Sequence, residues 1–364
     1  MQALLNLLSQ ETISGQTPPK TFLELLLKNR QITDVDNFLK PPFPESKLSS
    51  KKVVGTIQNY LDKQKNILIY GDYDVDGLTS TAILWRSLYP LNKNVLPFIP
   101  HREKDGYGFK SKSFFRLESE KKIKFDLLIT VDNGIVADAE FARIKAKNPN
   151  IKIVVIDHHL AGGKIKNVDA LFHSTSTSAS ALAWLIARSF SKTADLSLAA
   201  LGVVADCQPL SDLNRSIVVH GLQELKVNPS PGLKKLMEIS GVKLDKLSVY
   251  DLGFLLGPRL NAVGRLSDPT DALRLLCSRN SLEAGKYAEV LNNFNKERQD
   301  LQKESIDLAD KNINIKNKVI FIADSFNPGI IGLIAGRLTE KYALPSIIIA
   351  KNGEVAKGSC RSIP

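Results

Sequence analysis

An apolar run near residue 70 is followed directly by three carboxylates at alternate positions, Asp72, Asp74 and Asp76. Like charges this close repel one another strongly unless cations neutralise them. A calcium-binding EF-hand loop is excluded, because the bidentate Glu expected six residues after Gly77 is absent and that position holds Ile83. The spacing therefore predicts a metal site of another kind.

The pattern of an apolar run that ends on an acid recurs three more times. These acids are Asp132 after Leu127–Val131, Asp157 with His158 and His159 after Ile153–Ile156, and Asp206 after Leu201–Ala205. One such Asp commonly caps a helix or forms a turn. Four coincident acidic tips are much harder to explain in that way. Carboxylates and imidazoles around one point suit Mn²⁺ or Mg²⁺ rather than zinc with thiolates.

The elements that must position these acids follow a regular order. From about Lys51, strand-length apolar segments alternate with helix-length segments, which predicts a parallel α/β sheet. The predicted strands are Ile67–Tyr70, Val95–Ile99, Leu127–Val131 and Ile153–Ile156. Ligands of such sheets bind beyond the carboxyl ends of the strands, so we expect all four acidic tips to meet at one edge.

Four segments are predicted along the chain. Residues 1–48 form a leader, 49–212 the α/β domain, 213–311 a helical connector with one long polar helix over Leu282–Lys311, and 312–364 the start of a smaller α/β domain. The leader holds a helix candidate at Phe22–Leu27, which the breaker cluster Pro41–Pro44 follows. The last segment shows only two strands and a helix, too few for a complete domain. A truncated gene, a split protein or a fragment is therefore expected.

Composition narrows the class of protein. Lys and Arg number 49 against 38 Asp and Glu, and the resulting net charge of +11 favours an anionic partner such as nucleic acid. The three cysteines form no C-x-x-C pair, which argues against a disulfide framework or a structural zinc site. No signal peptide and no apolar run of membrane-spanning length occur, so we expect a cytoplasmic protein without membrane contact.

At the acidic tips the sequence resembles the DHH phosphoesterase family, whose naming triplet reads Asp157-His158-His159 here. The resemblance implies two divalent ions, Mn²⁺ or Mg²⁺, that share Asp132 as a bridge. It implies that His159 orients or protonates phosphate oxygens and that Asp157 supports a histidine. The remaining implied ligands are Asp72, Asp74, Asp76, His158 and Asp206. Phosphodiester hydrolysis without a covalent intermediate is the reaction that this family resemblance implies.

Three further segments resemble the RecJ branch of this family. The residues that they assign to nucleic-acid binding are Arg102, Tyr107, Arg259, Asn261, Arg265, Arg337, Arg361 and Ser362. Arg102 could bind a terminal phosphate and Tyr107 could stack on a base. A helix that begins at Gly329 would offer free amides to phosphate. Asn327 stands where relatives usually carry His, so the chain departs from the family pattern at this position.

We therefore expect an α/β protein with a parallel-sheet DHH domain, a helical connector and the start of a smaller α/β DHHA1 domain. The expected function is a 5′-to-3′ exonuclease of single-stranded DNA in repair and recombination. A monomer is expected, with a single-strand-binding protein or a helicase as further partners. Two alternatives stay open: a DHH phosphodiesterase of short oligoribonucleotides or cyclic dinucleotides, and a non-catalytic DNA-binding relative.

Overall fold

The computed structural model describes residues 19–46, 50–311, 313, 317–352 and 355–363. The predicted leader therefore lies partly outside the described residues. Its described part contains two helices, α1 (Pro19–Asn29) and α2 (Val35–Leu39). The prolines at 41, 42 and 44 follow α2, and the chain there forms no regular element, as expected for residues that lack a backbone donor.

A parallel sheet forms the centre of the main domain. Its strands are β1 (Ile67–Tyr70), β2 (Val95–Phe98), β3 (Leu127–Val131), β4 (Lys152–Asp157) and β5 (Ala170–His173). They lie in the order β2-β1-β3-β4-β5, and every pair is parallel. The chain leaves β1 toward β2 and then returns to the other side of β1 as β3. This reversal brings the carboxyl ends of β1 and β3 side by side at a switch point, where ligands of such sheets bind.

Helices cover both faces of this sheet. They are α3 (Lys51–Asp62), α4 (Val75–Leu88), α5 (Ser111–Lys121), α6 (Asp138–Lys147), α7 (Ala179–Ala187) and α8 (Leu196–Ala205). Successive strand residues point to opposite faces. Ile67 and Ile69 accordingly join the core under α3, α4, α7 and α8, and Leu68 and Tyr70 join the core under α5 and α6. Burial on both faces explains why β1 is a continuous apolar run.

The fourth acidic tip does not follow a strand, and grouping Leu201–Ala205 with the apolar runs that end the predicted strands was wrong in this respect. These residues form the last turns of α8, and Asp206 follows at its C-terminal end. Residues 196–203 of this helix are all buried, so the segment is apolar on every side. Without an exposed polar face, its sequence lacks the 3.6-residue period that distinguishes a helix from a buried strand.

The connector is helical, as predicted. Its helices are α9 (Asp212–Val227), α10 (Pro231–Ser240), a 3₁₀ turn (Leu244–Lys246), a π-helical segment (Asp251–Leu256), α11 (Gly257–Leu266), α12 (Thr270–Cys277) and α13 (Ser281–Asp310). The π-helical segment continues directly into α11, whose first turn contains Pro258. Helices α10, α11 and α12 pack along the 30-residue helix α13.

A second, smaller sheet follows α13. Its elements are β6 (Ile320–Asp324), α14 (Ile331–Tyr342), β7 (Ser346–Asn352) and β8 (Val355–Arg361). Strands β6 and β7 are parallel, and β8 is antiparallel to β7. The sequence had not indicated β8, whose residues are almost all exposed and therefore carry no apolar pattern. In the part of the chain that the structure describes, no helix has the length and apolar character needed to cross a membrane.

Candidate active site

The junction of β1 and α4 positions the first three carboxylates. Asp74 caps α4, because its Oδ1 accepts the amide hydrogen of Gly77 at 3.0 Å. A Cβ at Gly77 would lie 2.5 Å from the backbone oxygen of Asp72, so only glycine lets the chain turn this tightly. Asp72 and Asp76 are buried, whereas Asp74 is exposed. The tight turn thus aims three carboxylates at the edge of the sheet.

Asp132 follows β3 in an uncommon backbone conformation. Its φ is 61°, in the left-handed region that few residues other than glycine adopt. Its carboxylate is buried, and its Oδ1 lies 3.1 Å from Nε2 of His158. Backbone strain of this kind persists where the surrounding structure fixes a side chain for a function. The conformation places Asp132 in the middle of the acidic tips.

The triplet Asp157-His158-His159 at the end of β4 combines a supporting carboxylate with two histidines. Asp157 is fully buried, and its Oδ2 accepts the amide hydrogen of Ile135 at 2.9 Å. Its Oδ1 lies 2.8 Å from Nδ1 of His159. Burial alone would raise the pKa of Asp157, but hydrogen bonds from His159 and Ile135 outweigh it and lower that pKa. The hydrogen bond between Asp157 and His159 also raises the pKa of His159, so Asp157 both orients this ring and favours its protonated form.

Asp206 approaches the site from the end of α8. Its Oδ2 lies 3.6 Å from Nδ1 of His158 and accepts a hydrogen bond of 2.7 Å from Nε2 of Gln208. Gln208 also lies 3.4 Å from Nδ1 of His158 and thereby links the two groups. Sequence reasoning missed Gln208, because a neutral amide two residues after an acid gives no charge pattern.

Asp76 lies under the N-terminus of α7. Its two carboxylate oxygens accept the amide hydrogens of Ala179 and Ser180 at 2.7 and 2.9 Å. A Cβ at Gly202 would lie 2.6 Å from Oδ1 of Asp76, so α8 can pack here only through a glycine. Free amides at a helix N-terminus stabilise a negative charge, which helps to hold Asp76 ionised in a buried position.

Together these residues form the acid–histidine cluster, which consists of Asp72, Asp74, Asp76, Asp132, Asp157, His158, His159 and Asp206. Three groups within it offer ligand atoms that all lie within 4.8 Å of one another, namely Asp132 with His158 and His159, Asp76 with His158 and Asp206, and Asp72 with Asp74 and Asp132. Asp132 and His158 each belong to two groups. The cluster can therefore hold adjoining cations through shared residues.

The charges of the cluster also fit bound cations. Burial, followed by the neighbouring carboxylates Asp74, Asp76 and Asp72, raises the pKa of Asp132 well above its usual range. Burial raises the pKa of Asp72 to about 7 and that of Asp76 to about 6. Divalent cations would remove this repulsion. Oxygen and imidazole donors without a thiolate are the set that Mn²⁺ and Mg²⁺ accept, so the residues present fit these metals.

The raised pKa values give a test of the metal-free protein. Between the unfolded pKa near 4 and the folded values of about 6 and about 7, the native state holds more protons than the unfolded state. Its free energy of unfolding must therefore fall as the pH rises through this window. We expect the thermal midpoint of chelator-treated protein to decrease from pH ~5 to pH ~7. Saturating Mn²⁺ should restore it at the upper pH, because the ion binds only the folded state. A midpoint that rises with pH without metal would contradict the arrangement.

A cavity of about 530 Å³ opens beside the cluster, between the main domain and the small sheet. We call it the basic cavity. It is lined by Tyr73, Asp74, Arg102, Glu103, Arg265, Pro328, Gly329, Ile331, Gly332, Leu333, Lys357, Gly358, Ser359 and Arg361. Asp74 belongs to both the cluster and the cavity, so the two are continuous. Burial, assisted by the positive charges of Arg102 and Arg298, lowers the pKa of Arg265 to about 10.

The other residues predicted to bind nucleic acid lie in several places. Tyr107 is exposed, and its hydroxyl oxygen lies 3.3 Å from Nε2 of His159. Arg259 does not line the basic cavity, and its Nε donates to Oδ1 of Asn292. Oδ1 of Asn261 accepts the amide hydrogen of Val75 at 3.1 Å, which fixes α11 to the start of α4. Sequence reasoning thus grouped residues that the structure separates.

The structure overturns one prediction about the last segment and places two other predicted residues outside the basic cavity. Helix α14 begins at Ile331 rather than at Gly329, and the amide of Gly329 donates to Oδ1 of Asn327 at 2.8 Å. The expected free amide at Gly329 was therefore wrong, because this side chain already occupies it. Arg337 is exposed and pairs with Glu340 outside the cavity, and Ser362 also lies outside it. Lys357, which the sequence analysis did not single out, lines the cavity instead.

Comparisons with known proteins agree with this geometry. Residues 66–207 match the sequence profile of the DHH family, N-terminal domain. The single-stranded-DNA-specific exonuclease RecJ of Bacillus subtilis is 35% identical over 86% of this chain and 42% of its own length. The protein of the same name from Salmonella typhimurium is 32% identical over 92% of this chain and 64% of its own length. The chain thus spans only 42% and 64% of the length of these two curated relatives.

Solved structures show the same likeness. A crystal structure of exonuclease RecJ bound to manganese superposes with a TM-score of 0.79 at 30% identity, covering 89% of this chain and 84% of that one. RecJ of Thermus thermophilus in complex with Mn²⁺ gives a TM-score of 0.80 at 28% identity, covering 93% of this chain and 51% of that one. The likeness extends from the main domain into the small sheet.

Proposed function

Since this chain belongs to the DHH family, and within it to the RecJ group, we propose that it is a metal-dependent exonuclease. Its substrate is single-stranded DNA, which it hydrolyses from the 5′ end in DNA repair and recombination. The observation that carries this proposal is the continuity of the acid–histidine cluster with the basic cavity through Asp74. One part suits cations, and the other suits the phosphates on which those cations would act.

The residues of the cluster would hold two divalent ions, Mn²⁺ or Mg²⁺. Asp132 would be the shared ligand, and Asp72, Asp74, Asp76, His158 and Asp206 would be the others, since all of them belong to the groups of closely spaced ligand atoms. When bound, such an ion pair lowers the pKa of a coordinated water and stabilises the charge that develops on phosphorus. The relatives of known structure that bind Mn²⁺ or Mg²⁺ support this choice of metals.

His159 is the group that touches the phosphate. Asp157 holds its Nδ1 at 2.8 Å, so Nε2 faces the open side of the site, next to the hydroxyl of Tyr107. Because Asp157 raises the pKa of His159, the ring is protonated over a wider pH range and can donate from Nε2 to a phosphate oxygen. Asp157 itself is a positioning residue.

The terminal phosphate binds in the basic cavity. Arg102 and Arg265 reach it from the main domain and the connector, and Lys357 and Arg361 reach it from the small sheet. Guanidinium groups bind phosphate oxygens bidentately, which fixes the end of the strand. The exposed ring of Tyr107 offers a stacking surface for the neighbouring base, and such stacking tolerates any sequence. A cleft walled on both sides in this way admits one strand rather than a duplex.

The remaining expectations belong to the same proposal. We propose the division into a leader (1–48), a DHH domain (49–212), a connector (213–311) and part of a DHHA1 domain (312–364). We also propose that the protein is a cytoplasmic monomer. It would receive its strands from a helicase or from a single-strand-binding protein.

A substrate panel tests the proposed class. Equal concentrations of a single-stranded DNA, a blunt duplex of the same sequence, an RNA strand and a dinucleotide are incubated with Mn²⁺. We expect the DNA single strand to be degraded much faster than the duplex, with little base preference. Preferred hydrolysis of the dinucleotide or of RNA would favour the small-substrate phosphodiesterase. No hydrolysis of any member would favour a non-catalytic relative.

A further inference from the structure

Two arginines outside the basic cavity are held side by side by α13. Oδ1 of Asn292 accepts from Nε of Arg259 at 3.1 Å, and Oδ1 of Asn295 accepts from Nη2 of Arg298 at 3.1 Å. Residues three apart on a helix are neighbours on one face. Both asparagines are buried, so two rigid amides fix two adjacent guanidinium groups. We call Arg259 and Arg298 the arginine pair.

The pair is oriented without being neutralised. Its remaining acceptors are the carbonyl oxygen of Leu255 at 2.7 Å and Oε1 of Gln302 at 3.2 Å. Every hydrogen-bond acceptor that the described residues offer to these two groups is thus a neutral carbonyl oxygen. Both side chains are partly buried, and a partly buried arginine with a purely structural role usually pairs with a carboxylate, because removing a charge from water without a counter-ion is costly.

One donor of the pair is buried without a partner. Nε of Arg298 has no hydrogen-bond acceptor among the residues that the structure describes. Leaving a charged donor unpaired costs more than leaving a neutral one. This nitrogen is closed to solvent, but both side chains are only partly buried, so their accessible guanidinium groups can meet an anion with several oxygens, which would offset the charge.

The pair continues the positive charge of the basic cavity. Arg298 lies close enough to both Arg259 and Arg265 for its charge to interact with theirs, and Arg265 interacts in the same way with Arg102. The positive charge therefore extends beyond the cavity to the arginine pair on α11 and α13. A free phosphate ion would need only the cavity, whereas positive charge at two neighbouring places fits a polyanion.

We infer that Arg259 and Arg298 form a second phosphate site, which binds an internal phosphodiester of the same single strand. This inference rests on the proposed function, because the strand must first be seated in the basic cavity. Arg298 has no role in the expectations from sequence, which assign Arg259 only to nucleic-acid binding. Asn292 and Asn295 are the positioning residues of this site.

Binding measurements on metal-free protein test the inference. The probes are a labelled strand of about 12 nucleotides, which is within the usual site sizes, and a labelled dinucleotide, each with and without a 5′-phosphate. The variants are Arg298→Gln, Arg298→Lys and a control, Arg274→Gln, whose exposed side chain pairs with Asp271. We expect Arg298→Gln to weaken binding of the long strand about tenfold at low salt, equally for both 5′ ends. The dinucleotide should bind as it does to the parent protein.

The salt dependence separates a phosphate contact from a structural role. Loss of one contact to a single strand should reduce the slope of log K against log salt by about 0.7. Arg298→Lys should keep most of that slope, and Arg274→Gln should keep all of it. An unchanged slope for Arg298→Gln, with or without a lower thermal midpoint, would overturn the second site. A loss confined to 5′-phosphorylated strands would also overturn it. If the parent protein binds no single strand, the proposed function fails instead.

Discussion

Asp132→Asn is expected to lower Mn²⁺-dependent hydrolysis of single-stranded DNA by more than about a thousandfold. Asp132 belongs to two of the three groups of ligand atoms, so its charge is needed by both proposed ions. Asparagine keeps the size of the side chain but cannot bridge two cations as a carboxylate does. The loss should be measured as kcat at saturating strand and metal, since weaker metal binding alone would be overcome by added Mn²⁺.

The same substitution should stabilise the metal-free protein. Burial and four neighbouring carboxylates raise the pKa of Asp132, so its ionised form is costly in the absence of cations. Asp132→Asn removes that charge, and we expect a higher thermal midpoint than that of the parent at pH ~8 in chelator. Asp300→Asn, at an exposed position of α13, is the control and should change neither property. Turnover of Asp132→Asn within tenfold of the parent would refute the shared-ligand arrangement.

Arg361→Gln should lower kcat/KM for 5′-phosphorylated strands by about 10-fold to 100-fold, because a hydrogen bond to a charged group contributes about 1.5 to 3 kcal/mol. The residue lies on β8 at the wall of the basic cavity and is exposed, so its replacement should not disturb folding. Strands with a 5′-hydroxyl make no such contact and should lose much less. Kinetics on both strands provide the measurement.

The matched control for this variant is Arg143→Gln, which removes an arginine paired with Glu140 on the opposite side of the sheet from α4. It should leave both substrates unaffected. If Arg361→Gln lowers kcat/KM equally for the two strands, Arg361 does not bind the terminal phosphate. The proposed role of the acid–histidine cluster would not be affected by that result.

The four predicted parallel strands were confirmed. Three of them, β1, β3 and β4, were predictable because they are buried on both faces and therefore appear as uninterrupted apolar runs in the sequence. Strand β5 was missed. It lies at the sheet edge, and its buried residues alternate with exposed residues such as Leu171, so it contains no long run of buried apolar side chains. The acids that follow the strands were brought together because parallel strands share one carboxyl edge. Asp206 joined them from a helix, which the sequence pattern could not distinguish from a strand.

Contacts between segments distant in sequence were beyond prediction. Motif spacing placed Arg259 and Arg265 together, but six residues of helix turn the two side chains to different faces of α11. The link of Arg298 to this region depends on how α13 packs on α11, which no local pattern encodes. The roles of the individual site residues and the domain boundaries stay predictions.

The most direct test of the proposed exonuclease activity follows the release of a 5′ label over time. A single strand carrying a label at its 5′ end is incubated with the protein and Mn²⁺, and the first labelled products are separated by size. We expect the label to appear as mononucleotide from the earliest time points, and to remain on the intact strand when Mn²⁺ is withheld. Long labelled fragments that precede any mononucleotide would contradict 5′ entry, and equal release without metal would contradict the cation site.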